Sequence, residues 1–274
     1  MDNNTYQNII HQTDVENWEN FLLPISVHNI KNIPYQCNNQ IYLVPITEKI
    51  KELYFLKNKS ELEFYFDSYL YENQIDLTKS FYFVKLSTVS GKDIIDTDDI
   101  NSVNYWNSNN LSIKKLIIKS IAQLVTYLLE SERIAENIAE SAFLVFREWI
   151  NFKSEEEFRC FIYKKRLVAI SQYDYAEELP ADLQQPDLIV KTISYFVDQI
   201  IELIPFHNVV LDVAVRFSDL NVYFIEFNSF GLKSDTDASL YDWVHDDDIL
   251  CPKVFDKIDI RLFDLKYIEK KFQI

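Results

Sequence analysis

An α+β fold with a largely antiparallel sheet in its C-terminal half is the architecture this sequence predicts. Three observations carry it. Short β-branched and aromatic runs recur between residues 143 and 228, joined by tight polar turns. Two stretches with apolar residues at helical spacing accompany them. No repeat, low-complexity tract or Pro/Ser linker separates the elements, so they read as one continuous folding unit of two lobes.

Along the chain, residues 1–80 are mixed, and the aromatic-rich stretch 53–70 reads as one helix with Ser60 as an internal cap. Residues 81–86 form a strand signal, and Ser87-Thr88-Val89-Ser90-Gly91-Lys92-Asp93 reads as the polar turn after it, which puts Lys85 near a strand end. From Ser112, a good N-cap, Ile113, Leu116, Ile117, Ile121, Leu124, Val125, Leu128 and Leu129 recur as a helix stripe. Strands are expected over 143–150, 157–163 and 167–173, the last two joined by Lys164-Lys165-Arg166. A second helix opens just after Pro186 and runs through Ile189, Ile193, Val197, Ile200, Ile201 and Ile204 to a stop at Pro205. Residues 208–216 and 222–228 read as a hairpin, and the tail 255–274 as an edge segment or a helix.

Composition narrows the function. The 274 residues are 48% hydrophobic and 15% aromatic, which supports a substantial core and argues against disorder. A formal charge of −16 disfavours nucleic acid and anionic membrane as partners and suits a basic protein or a metal-screened polyphosphate, unless it serves solubility alone. The N-terminus lacks a secretory pattern, and no apolar run approaches the roughly 18 residues of a membrane span, so the cytoplasm is the expected location. Cys37, Cys160 and Cys251 are scattered without a C-x-x-C pair, as suits a reducing compartment. Gly91 and Gly231 are the only glycines, so no glycine-rich phosphate loop of the Rossmann, P-loop or protein-kinase type can be written. Each glycine either closes a tight turn or permits a close backbone approach.

Strand parity then shows which polar residues share a surface. In 157–163, Glu157 and Arg159 lie on one face with Phe161; in 143–150, Arg147 lies with Phe143, Val145 and Trp149, as a snorkelling or cation-π residue or as a ligand contact. If the loop of the last hairpin is 217–221, Asp212 faces Glu226 and Val210 faces Asn228. Two opposed carboxylates repel, and something must neutralise them: Mg²⁺, a shared proton or a nearby lysine. Asn228, on the same face, adds an uncharged oxygen. A four-residue loop would break this parity.

These segments resemble the cell division cycle 123 family, whose fold belongs to the ATP-grasp group. Residues Lys85 to Asp93 resemble its K-L-x-x-x-S-P-K-D segment. Arg147-Glu148-Trp149, Glu157-Phe158-Arg159-Cys160-Phe161 and Ile170-Ser171-Gln172-Tyr173-Asp174-Tyr175 resemble R-x-W, E-F-R-C-F and I-S-Q-x-D-Y. Ile225 to Gly231 resembles I-D-F-N-P-F-G, and Thr236, Asp237, Leu240 and Trp243 resemble T-D-x-L-x-x-x-W. The resemblance implies a two-lobed ATP-grasp-like fold, with residues 1–142 as the lobe carrying the phosphate-binding lysine and 143–274 as the lobe carrying hinge and metal site. It implies ATP held between the lobes by Lys85, Ser87, Arg147, Glu148, Trp149, Ile150, Glu157 and Arg159, with Mg²⁺ on Asp212, Glu226 and Asn228. Gly91 and Ser229 stand where the family has prolines, and residues 231–236 form a stretch two residues longer. The function implied is assembly of a protein partner such as the γ subunit of translation initiation factor 2. The alternative is an active ATP-grasp ligase or phosphoryl or nucleotidyl transferase, with a self or host protein as target.

Overall fold

The computed structural model describes residues 41–262 except 89, 95–115, 151, 174–178, 180–183, 205 and 235. Cys37, Ser112, Ile113, Asp174, Tyr175, Pro205 and the tail beyond residue 262 therefore lie outside the described residues. These residues form two compact units, one up to residue 150 and the other from residue 152 onward.

The first unit contains β1 (Ile41–Pro45), α1 (Glu48–Phe55), α2 (Lys59–Glu72), β2 (Tyr82–Leu86), β3 (Ile117–Ile118), α3 (Ile121–Glu130), α4 (Glu132–Asn137) and β4 (Phe143–Glu148). Its sheet runs β1-β4-β2-β3, antiparallel throughout. Because β4 pairs with both β1 and β2, the unit boundary falls after it, not at residue 142 ahead of it.

The single helix expected over 53–70 is two helices. Lys57 takes a left-handed φ of 51°, which an α-helix cannot run through, and Asn58 rather than Ser60 caps α2 by accepting the Glu61 N–H at 3.3 Å. The helix expected from Ser112 starts at Ile121. Ser120, in extended conformation, accepts the Gln123 N–H at 3.2 Å, and the preceding Ile117 and Ile118 pair with Phe83 and Tyr82 as β3. Apolar spacing alone fits a helix or a buried β-branched pair, and the available sheet edge decides it. Val84, Leu86, Leu144 and Phe146 form the inner face, packed with Leu62, Phe66, Leu124 and Leu128. Each such side chain contributes roughly 1.5–3 kcal/mol by leaving water.

The second unit contains β5 (Glu157–Tyr163), β6 (Arg166–Gln172), α5 (Pro186–Ile200), β7 (Val209–Arg216), β8 (Asn221–Asn228), α6 (Asp247–Leu250) and β9 (Asp259–Arg261). Its sheet order is β8-β7-β5-β6-β9, antiparallel except for β9 beside β6, so the tail does begin as an edge strand. Pro186 opens α5 at a position where its missing N–H costs nothing. The turn between β5 and β6 is two residues, Lys164 and Lys165, both at positive φ. Lys165 Nζ donates to the carbonyls of Ile201 and Ile204 beyond the end of α5, where helical carbonyls lack partners and a cation is favoured.

Both hairpins of this sheet carry a one-residue bulge. Val168 is the extra residue in β6: Phe161 pairs with Ala169 but Ile162 with Leu167. Ile225 is the extra residue in β8: Asp212 pairs with Glu226 but Val213 with Phe224. A bulge moves every residue beyond it to the other face, and here each one places a polar residue beside Arg159 or Asp212.

Candidate functional site

In the first unit, Lys85 stands opposite Val145 and Arg147 opposite Phe83. The two cations share the face of the sheet turned away from Val84 and Phe146, as diagonal neighbours on adjacent strands. Like charges so placed repel, and an anion between them relieves it. Ser87 is 2% exposed; its N–H donates to the Phe143 carbonyl at 2.9 Å, and its hydroxyl oxygen accepts from the Phe143 N–H at 3.4 Å, which fixes the start of the turn. Glu148 faces away from Arg147 and accepts a hydrogen bond from Ser80 Oγ at 3.2 Å. The Trp149 N–H donates to the Phe81 carbonyl at 2.7 Å and its ring packs on the core, while Ile150 is half-buried.

The turn after Lys85 is held at several points. Thr88 and Ser141 hydroxyls are 2.7 Å apart, and the Gly91 N–H donates to Tyr127 Oη at 2.9 Å. Asp93 accepts from Ser131 Oγ at 2.7 Å and from the Arg133 N–H at 3.1 Å, at the start of α4. Burial opposes the Asp93 charge, but these bonds outweigh it and lower its pKa.

In the second unit, one rung crosses all five strands. Glu226, Asp212, Arg159, Ser171 and Arg261 are successive register partners on β8, β7, β5, β6 and β9. Residues in register share a face, so five polar side chains line one side of the sheet. Arg159 Nε donates to Asp212 Oδ1 at 2.9 Å and Nη2 to Oδ2 at 2.8 Å, a bidentate pair with 5% and 1% of the side chains exposed. Its Nη1 donates to the Asp237 carbonyl, and its guanidinium lies 4.7 Å from the centre of the Tyr173 ring. Burial works against the Arg159 charge, yet attraction and hydrogen bonding from Asp212 outweigh it, so the group stays ionised far above the ordinary range.

Asn228 Nδ2 donates to Asp212 Oδ2 at 2.8 Å. Glu157, 7% exposed, lies two residues before Arg159 on the same face. The predicted metal residues are thus brought together, on adjacent strands. Two carboxylates and an amide oxygen are the hard donors that Mg²⁺ takes alongside phosphate oxygens, so the residue set fits that ion. Among the described residues no cluster of three or more His, Cys, Asp and Glu has metal-holding geometry, so these residues supply only part of an Mg²⁺ shell that water or phosphate oxygens would complete. Arg159, expected on phosphate, is here the cation that neutralises Asp212. Cys160 points to the other face, and burial pushes its thiol well up, which leaves it inert.

The same rung holds a segment that parity cannot place. The Leu240 N–H donates to Ser171 Oγ at 3.1 Å, and Arg261 Nη1 donates to the Leu240 carbonyl at 3.0 Å. Arg261 also grips Asp246 with bonds of 2.7 and 2.6 Å and lies over the Tyr241 ring at 4.1 Å. Phe161, Tyr241, Trp243 and Phe230 pack edge to face beside the rung. Ser171 belongs to the I-S-Q-x-D-Y-like stretch, but only the β6 bulge puts it opposite Arg159. Asp246 and Arg261 have no sequence pattern to mark them.

At the exposed end of this segment the Asp242 carboxylate accepts from the His245 and Val244 N–H groups, which lower its pKa from 3.8 to about 2. A lowered carboxylate stabilises the fold above its unfolded pKa and loses that contribution as pH falls through the folded value. The urea midpoint is expected to drop between pH 4 and pH 2 by less in Asp242→Asn than in wild type. Equal drops would show that these bonds do not stabilise the fold.

Comparisons with known proteins follow the same lines. The sequence profile of the D123 family matches residues 108–273, more than half of the chain. A CDC123-like protein of Acanthamoeba polyphaga mimivirus is 31% identical over 172 residues, 60% of this chain and 50% of the relative. A Xenopus laevis protein named translation initiation factor eIF2 assembly protein is 35% identical over 101 residues, 36% of this chain and 29% of the relative. The matched stretches thus span half the length of these curated relatives or less. The structure of Cdc123 from Schizosaccharomyces pombe superposes with a TM-score of 0.63 at 17% identity, covering 94% of this chain and 97% of that one, and so shares its fold. Among the described residues no helix is long and apolar enough to cross a membrane.

Proposed function

Since the chain belongs to the D123 family, we propose that it binds ATP with Mg²⁺ and acts as an assembly factor for a protein partner, the γ subunit of translation initiation factor 2 being the first candidate. The observation that supports the nucleotide reading is the rung itself: Asp212 faces Glu226 across β7 and β8, with Asn228 against Asp212 and a buried arginine beside them. A sheet face that gathers this many polar groups at such depth is costly for stability alone. With ATP bound, Mg²⁺ would offset phosphate charge, held by Asp212, Glu226 and Asn228 Oδ1. Glu157 flanks Arg159 on the same face. Within the first unit by itself, Lys85 and Arg147 form a cationic patch suited to phosphate oxygens, with Ser87 setting the turn beside Lys85 and the backbone of Glu148 to Ile150 following Arg147.

Calorimetric titration with ATP and Mg²⁺ tests this. Wild type is expected to bind, and Asp212→Asn to bind at least about tenfold more weakly. Equal affinity in the two would remove the metal assignment, and no heat with wild type would remove the nucleotide. Co-purification with the γ subunit tests the partner.

The second reading, an active ATP-grasp enzyme, draws on the same charge set, because phosphoryl chemistry depends mainly on positioning and neutralisation. Acceptor-dependent ATP turnover would favour it. A stable partner complex without turnover favours the assembly factor.

A further inference from the structure

Arg159 is bonded on two sides. Its Nε and Nη2 hold both oxygens of Asp212, while Nη1 holds the carbonyl of Asp237. Asp237 ends the stretch that starts at Gly231, only three residues after Asn228. That stretch is bounded by two backbone kinks, Gly231 at φ 109° and Ser239 at φ 52°. Beyond Ser239 the chain is fixed independently, because Leu240 is held through its N–H by Ser171 and through its carbonyl by Arg261. Within the stretch Ser234 bonds the Gly231 carbonyl and Thr236 bonds Ser234, while the Thr236 carbonyl accepts from the Trp243 indole N–H. The Asp237 carboxylate also bonds locally, to the Ser239 N–H at 3.0 Å.

The Arg159 fork and Asn228 Nδ2 together take three of the roughly four lone-pair sites of Asp212, so a cation that engages both Asp212 oxygens has to displace the fork. A buried guanidinium that loses a bidentate partner cannot stay in place, because the unpaired charge is far too costly at 4% exposure. It must turn toward another anion, and Nη1 then leaves the Asp237 carbonyl.

We propose that Arg159 couples occupancy of the Asp212–Glu226 pair to residues 231–237: with the pair empty it tethers this stretch, and with the pair occupied it releases it. The kinks at Gly231 and Ser239 confine the movement, and Leu240 stays fixed. Trp243 reports on it, since its indole N–H donates to the Thr236 carbonyl at 2.9 Å. This coupling rests on the nucleotide reading above. The tether itself does not.

Hydrogen–deuterium exchange of the full chain, read on peptides covering 229–243, separates the two. Without ligand, Arg159→Lys and Asp212→Asn are each expected to speed exchange in 231–238 by about tenfold, the scale of one lost charge-assisted hydrogen bond. Acceleration over 231–238 that exceeds any acceleration at Val222 to Phe224 in β8 distinguishes a local release from a fold that has loosened as a whole. Unchanged exchange over 231–238 in both variants overturns the tether. With ATP and Mg²⁺, wild type is expected to show the same acceleration over 231–238, and Arg159→Lys no further change. Binding seen by calorimetry without acceleration in wild type overturns the coupling and leaves the nucleotide reading standing. Absence of binding overturns both.

Discussion

Asp212→Ala is expected to destabilise the second unit by about 3–5 kcal/mol, because it leaves a buried arginine without its carboxylate. The charge is the reason, not the volume removed. Arg159 and Asp212 expose 5% and 1% of their side chains, so solvent cannot compensate the survivor of a single change. Replacing both, as Arg159→Met with Asp212→Leu, removes the two desolvation penalties together. It is expected to recover most of the loss, since buried pairs exchanged for apolar groups of similar size are often neutral. Urea unfolding of wild type, both single variants and the double variant gives the coupling, with the slope checked for constancy. Additive single losses would mean that the two groups do not depend on each other, and the central contact of the site would be wrong.

Much of the arrangement around that contact is legible in the amino-acid pattern. Asp212 facing Glu226, and Val210 facing Asn228, follow from a loop over 217–221. The observed turn is shorter, with Arg216 paired to Asn221, and taken alone it would set Asp212 against Ile225. The bulge at Ile225 restores the expected pairing, so two departures cancel within one hairpin. The first hairpin shows the opposite case. Lys164 and Lys165 make a two-residue turn that would place Ile170 opposite Arg159, and the bulge at Val168 brings Ser171 there instead. Bulges depend on how a sheet twists against its cover, which side-chain type barely encodes. Helix starts differ for a related reason. Ser60 is a good cap by composition, but Asn58 is the residue whose backbone leaves α2, and Ser120 caps the helix that starts at Ile121. Asp246 and Arg261 escape the pattern altogether, because they bond between distant segments with no periodicity to betray them.

Gly91 governs the turn after Lys85. Its backbone needs no left-handed freedom; it needs space. A Cβ there would lie 2.8 Å from Ser131 Oγ, 2.9 Å from Tyr127 Oη and 3.0 Å from Ile134 Cδ1. The two oxygens cannot retreat cheaply. Tyr127 Oη donates to the Val84 carbonyl at 2.7 Å while accepting from Gly91, and Ser131 Oγ bonds both Asp93 and the Ile134 N–H. Gly91→Ala is therefore expected to cost about 1–3 kcal/mol by overpacking, against roughly 0.4–1 kcal/mol gained from a stiffer unfolded chain. The effect should reach function, because Tyr127 ties Gly91 to Val84, the neighbour of Lys85 in β2. Thermal unfolding and nucleotide titration of Gly91→Ala are expected to fall together, and the double variant with Tyr127→Phe not to rescue either, since it strands the Gly91 N–H and the Val84 carbonyl. An alanine variant as stable as wild type would show that the turn after Lys85 is looser than its hydrogen bonds imply.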